Sequence, residues 1–82
     1  MEKPGYHLKK INKGVYGEIS KVEEEISEFK DALEQNSKIM ADVELADVYG
    51  ALEAVAVARG LSMKDLKIMS KITKRAFLNG HR

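Results

Sequence analysis

Acidic side chains recur three residues apart at two places in this chain: Glu25 and Glu28 within "EEISE", and Glu44 and Asp47 within "ELAD". Positions three apart share a helix face, so each pair can present two carboxylates on one side of a helix. The second pair is the more informative, because it interrupts "VELADVYGALEAVAVA", a run otherwise built for burial. Carboxylates gathered beside a core repel one another and lose hydration, and a cation relieves both costs. Hard divalent ions such as Mg²⁺ take carboxylate oxygens and keep several waters, so these residue types suit Mg²⁺ better than zinc. An acidic pair on a generic amphipathic helix ordinarily reads as a solvated face.

Three helical segments position these residues, with no alternating strand pattern, so the chain reads as all-α. The first helix is expected from about Val15 to Gln35, with a core stripe of Ile19, Val22, Ile26, Phe29 and Leu33. Glu25 and Glu28 form a row beside that stripe, Glu23 lies on the opposite flank, and Glu24 points outward. Asn36 and Ser37 are turn and capping candidates for a second helix, about Lys38 to Arg59, which is apolar nearly all round. Glu44 and Asp47 border its stripe of Leu45, Val48, Leu52 and Val55, so two acidic rows can face each other across a helix pair. Gly60 is a C-terminal cap, and Ser62 with Asp65 reads as a capping box opening a third helix that Asn79-Gly80 closes. The expected architecture is a compact helical hairpin plus a third helix. Residues 1–14 form a separate N-terminal segment with room for one short helix from Pro4 to Lys13.

An 82-residue chain without cysteine buries only about 60% of its unfolded surface and has no disulfide or thiolate metal site to add stability. Self-association into a homodimer or homotetramer is the expected supplement, completing a helical bundle. No stretch approaches the roughly 18 uncharged apolar residues of a spanning helix, and the N-terminus has no apolar leader core, which reads as a cytoplasmic protein without a membrane role. The net charge of +1 conceals sorting: residues 1–14 carry +3, residues 15–53 carry −8, and residues 54–82 carry +6. A basic tail alone would suggest nucleic acid, but the acidic centre repels that backbone. Acids paired with bases fit a metal and a small phosphorylated ligand better.

The two acidic pairs together resemble the E-x-x-E then E-x-x-D signature of MazG-like nucleotide pyrophosphohydrolases, all-α enzymes similar to the dimeric dUTPases and to phosphoribosyl-ATP pyrophosphohydrolase. The sixteen positions from Glu28 to Glu44 resemble the family's gap, and "MSKITKRAFLNGHR" resembles the basic ending of small members. The likeness spans about Gly14 to Arg82, which makes 15–82 the MazG-like domain. It implies a Mg²⁺-dependent hydrolase, with Mn²⁺ as a substitute, that converts a nucleoside triphosphate to monophosphate and pyrophosphate. Glu25, Glu28, Glu44 and Asp47 would be its metal-holding and catalytic residues. The chain departs from larger members in having no tandem second domain and no clear fourth long helix.

Lys74, Arg75, Lys71 and Lys21 are the candidate phosphate-binding residues, with Arg82 beyond them. The same bases also read as a helix end complementing its dipole and, for Lys21, as an intrahelical pair with Glu25. Glu24 is a candidate general base directed at solvent, and Glu53 reads as a structural partner for Arg59 or for a lysine of a neighbouring helix. His7 and His81 stand alone near the termini and read as exposed. Tyr16, Tyr49 and Phe77 read as base-stacking or core residues, and Met40, Met63 and Met69 as packing. Two other functions stay open: a non-catalytic helical interaction module, and a nucleic-acid binder using the basic C-terminal helix.

Overall fold

The computed structural model of the chain describes residues 7–80. It contains three helices and, among the described residues, no strand: α1 (Ile19–Glu34), α2 (Lys38–Ala58) and α3 (Met63–Leu78). No helix among these residues is long and apolar enough to cross a membrane.

Local chemistry accounts for each boundary. α1 begins four residues later than its apolar period suggests, because Gly17 adopts φ +90° and the chain turns there, Glu18 N–H bonding back to the Val15 carbonyl at 3.0 Å. The reversal between α1 and α2 uses Asn36 in the left-handed region, at φ 57°, a conformation asparagine tolerates. Ser37 then caps α2, its hydroxyl accepting from the Met40 N–H at 3.3 Å. α2 ends in a Schellman motif: Gly60, at φ +77°, donates to the Val57 carbonyl and Leu61 to that of Ala56. α3 opens with the expected reciprocal box, Asp65 N–H to Ser62 Oγ at 3.0 Å and Ser62 N–H to Asp65 Oδ2 at 3.2 Å.

Packing departs from the helical-wheel expectation. α1 lies along α2, while α3 makes only a few contacts with α2 and none with α1. Among the described residues the buried apolar ones are Val22 and five alanines, Ala32, Ala41, Ala51, Ala54 and Ala56. Small side chains let α1 and α2 approach closely, but they remove little apolar area from water. The two helices meet on the acidic edge of the expected stripes. Ile19, Ile26 and Leu33 of α1 are consequently exposed, as are Leu45 and Leu52 of α2, and no residue of α3 is buried.

The expected helix within Pro4–Lys13 does not form over its described part. Residues 7–15 run as an irregular strap against α1, and Pro4, Gly5 and Tyr6 lie outside the described residues. Side chains of α1 hold the strap's backbone in place of a helical ladder. Leu8 N–H donates to both oxygens of Asp31, at 2.9 and 3.1 Å, and Gly14 N–H donates to Glu24 Oε1 at 2.8 Å. At Gly14 the strap comes so close to the first turn of α1 that a Cβ would collide with the backbone of Ser20 and Lys21.

Candidate metal centre

The groove between α1 and α2 gathers all four acids of the two sequence pairs. One carboxylate oxygen each from Glu25, Glu44 and Asp47 lies within 4.8 Å of the others, and Glu24, Glu25 and Glu28 form a second such group. A third group joins Glu28 and Glu44 to a ring nitrogen of His7. Glu44 is the largest fully buried side chain among the described residues, at 1% exposure, and Glu25 is 7% exposed, whereas Asp47 stands at the open side.

Like charges and dehydration set the titration of this group. Burial, reinforced by Glu25, Glu44 and Glu24, pushes Glu28 up to about 8. Burial also raises Asp47, with Glu25 and Glu44 adding and Lys21 opposing. Lys21 bridges Glu24 Oε1 at 3.1 Å and Glu25 Oε1 at 3.2 Å. Its own pKa is raised, chiefly by the Glu24 hydrogen bond. That bridge engages one oxygen of Glu25, while the other, Oε2, is buried without a hydrogen-bond partner. A buried, partnerless carboxylate oxygen among other carboxylates is costly unless a cation meets it. The donor set is oxygen-rich and open to solvent at Asp47, which fits Mg²⁺ or Mn²⁺.

Two expectations are corrected here. Glu24 is not directed at solvent: it is 4% exposed beneath the strap, accepting from Gly14 N–H and Lys21, with Lys13 Nζ at 3.7 Å. Burial works to raise its pKa, but these three partners outweigh it and hold the carboxyl below its ordinary value. Glu24 is therefore engaged in structure and not available as a base. His7 is not exposed either. Its side chain is 9% exposed, with Nδ1 at 3.1 Å from Asp31 Oδ2 and Nε2 at 3.4 Å from Glu28 Oε1. Helical periodicity could not find the contacts of Glu24 with Gly14 and Lys13 or of His7 with Asp31 and Glu28, because each joins α1 to a segment with no period.

Of the candidate phosphate-binding residues, only Lys21 reaches the site. With Tyr16, Glu25, Asp47, Gly50 and Glu53 it lines a depression of about 240 Å³. Lys71, Lys74 and Arg75 are exposed on α3 and line no part of it. His81 and Arg82 lie outside the described residues. Tyr16, Tyr49, Phe77 and Met69 are exposed rather than core, and Met40 and Met63 are half-buried. No family model matches the chain, and neither curated proteins nor solved structures match it.

Proposed function

We propose that the chain is a divalent-cation-dependent nucleoside triphosphate pyrophosphohydrolase of the MazG-like kind, working as a homo-oligomer. The observation that carries the reading is the convergence of Glu25, Glu28, Glu44 and Asp47 on one groove, with the buried Oε2 of Glu25 lacking a partner. A cation would take the place of the proton that crowding keeps on Glu28 and would meet the bare oxygen of Glu25, and a cation on carboxylates at an open groove suits phosphate chemistry.

In this reading Glu25, Glu28, Glu44 and Asp47 would hold Mg²⁺, which would supply charge neutralisation and make water at the site more acidic. Asp47, at the open side, orients the substrate side of the site. Lys21 tethers Glu25 and adds positive charge at the groove wall. Tyr16, largely exposed at the same depression, offers a face on which a base can stack. A water oxygen bonds to the α-phosphorus as the bridging oxygen leaves with pyrophosphate, and a groove carboxylate accepts the water's proton. α3 makes no contact with α1 in its own protomer, so Lys71, Lys74 and Arg75 serve the outer phosphates from a second copy.

The test is hydrolysis of a nucleoside triphosphate panel with Mg²⁺ in ¹⁸O-labelled water. Monophosphate carrying the label, plus unlabelled pyrophosphate, is the expected outcome. Diphosphate with orthophosphate, or label in pyrophosphate alone, rejects the mechanism. Asp47→Asn should abolish most turnover with helicity unchanged, because it removes a ligand charge at constant size. The exposed bases of α3 are what favours the nucleic-acid alternative, and steeply salt-dependent RNA or DNA binding without hydrolysis would select it.

A further inference from the structure

Two buried carboxylates of α1, Asp31 and Glu24, fasten the strap near its two ends, and the fastening determines where one imidazole sits. Asp31, 2% exposed, accepts from the Leu8 N–H, from His7 Nδ1 and, at 2.8 Å, from the Gln35 side-chain amide. At the other end Glu24 accepts the Gly14 N–H. A carboxylate supplied with so many donors is an acceptor toward His7, so Nδ1 gives its hydrogen to Asp31, and Nε2 is turned toward Glu28 Oε1, where a single hydrogen, carried by Nε2 or by the Glu28 carboxyl, joins the two. This is the arrangement in which an outer carboxylate orients a histidine so that the ring's other nitrogen is delivered to a chosen place.

We propose that His7 is a positioning residue of the acidic centre: the strap delivers its imidazole to Glu28 and fixes the direction in which that carboxylate faces Glu44. This rests on the metal-centre reading above. The geometry behind it is specific. His7 Nε2 is 3.4 Å from Glu28 Oε1, and ring nitrogen, Glu28 oxygen and Glu44 oxygen all lie within 4.8 Å of one another. Glu28 has a flexible three-bond side chain on the strap-facing side of α1, and its carboxylate is only half-sheltered. Without the imidazole beside it, that carboxylate has solvent-facing rotamers available, and a ligand that wanders binds a cation less tightly. Asp31 and the strap backbone thus act on the centre through His7, and residues 7–14 belong to the site although none of them is an acid.

The test uses the full chain and Mn²⁺ alone, with free Mn²⁺ read by its electron paramagnetic resonance signal and melting followed separately in EDTA. His7→Ala should weaken Mn²⁺ binding by about 10–100-fold, the range for loss of a group that orients a ligand. His7→Gln, whose amide reaches the place of Nε2, should recover most of that loss. Recovery is the readout that a merely structural imidazole would not give. If His7→Ala fails to fold, Asp31→Asn supplies the same test, since it weakens the hold on the ring and should lower affinity in the same direction. Wild-type affinity in folded His7→Ala, or an equal loss in the Ala and Gln variants, would overturn the positioning role while leaving the metal centre standing. A ¹⁴N coupling to bound Mn²⁺ that disappears in His7→Ala would overturn it too, by making His7 a ligand. A wild-type chain that binds no Mn²⁺ would overturn the metal-centre reading and this inference with it.

Discussion

Glu24 and Glu28 sit one helical turn apart on α1 and meet opposite fates. Glu24 is surrounded by donors and cations and is held in its charged form; Glu28 is surrounded by carboxylates and is pushed up to about 8. The signs separate their effects on stability. A carboxyl with a raised folded pKa keeps a proton that the unfolded chain gives up, so its contribution is lost as pH rises through the folded value. Metal-free protein should therefore melt at progressively lower temperature between about pH 5 and about pH 8, with Asp47 adding in the same direction. Glu24 and Asp31, both lowered, contribute stability that is lost only as pH falls below the ordinary carboxylate range. Saturating Mg²⁺ should flatten the decline toward pH 8, because the cation takes the proton's place. Thermal scans in EDTA and in Mg²⁺ check this, and a flat metal-free profile would contradict the crowding of Glu28. The acids at Glu25, Glu28, Glu44 and Asp47 were legible because a three-residue spacing survives any choice of neighbour. His7, Asp31 and Glu24 were not, since their roles depend on where an aperiodic strap comes to rest.

Among elements, those specified by short-range chemistry were the readable ones. Ser37, Gly60 and the Ser62–Asp65 box act within four residues of themselves, and all three perform as their types suggest. Which face of each helix is covered depends instead on distant partners, and Ile19, Ile26 and Leu33 show how far a clean apolar stripe can mislead in a single protomer. The strap gives a sharp test through two glycines of opposite sign. At Gly14 a methyl would meet the backbone of Ser20 and Lys21, which cannot swing aside. Gly14→Ala should therefore displace the strap, break the bond to buried Glu24 and cost about 1–3 kcal/mol. Gly50, inside α2, has nothing within 4 Å of where a Cβ would stand. Gly50→Ala should raise stability by roughly 0.5–1 kcal/mol, since glycine is the poorer helix former. Urea melts of both variants provide the comparison, and equal effects would argue against the close approach at Gly14.

For the whole molecule, the radius of gyration of 15.0 Å exceeds the ~12 Å of a compact chain of this length. Among the described residues seventeen large apolar side chains are exposed while the buried apolar set is one valine and five alanines, a balance that favours the proposed homo-oligomer. Sedimentation at micromolar concentration should show a dimer or larger species, and a fully active monomer would contradict the shared-site reading. If α3 of one copy completes the centre of another, equal amounts of Asp47→Asn and Arg75→Ala subunits, exchanged at random, should regain about a quarter of wild-type activity in a dimer. No regain would place both residues' roles within one protomer, and full activity of Arg75→Ala alone would remove Arg75 from the reaction.

The capping box that opens α3 has a further consequence. It steadies one end of a 16-residue helix that has no buried residue and no contact with α1. A helix of that length is marginal in water when nothing packs against it. Lys64, Lys67, Lys71, Lys74 and Arg75 lie along it, each a cleavage site for trypsin. In the homo-oligomer proposed above, digestion should thus strip residues 65–82 first in dilute protein, and the cut rate there should fall as concentration rises, with cleavage at Lys21 and Lys30 lagging behind. Protease susceptibility becomes a gauge of how much of the chain's surface is shared between copies.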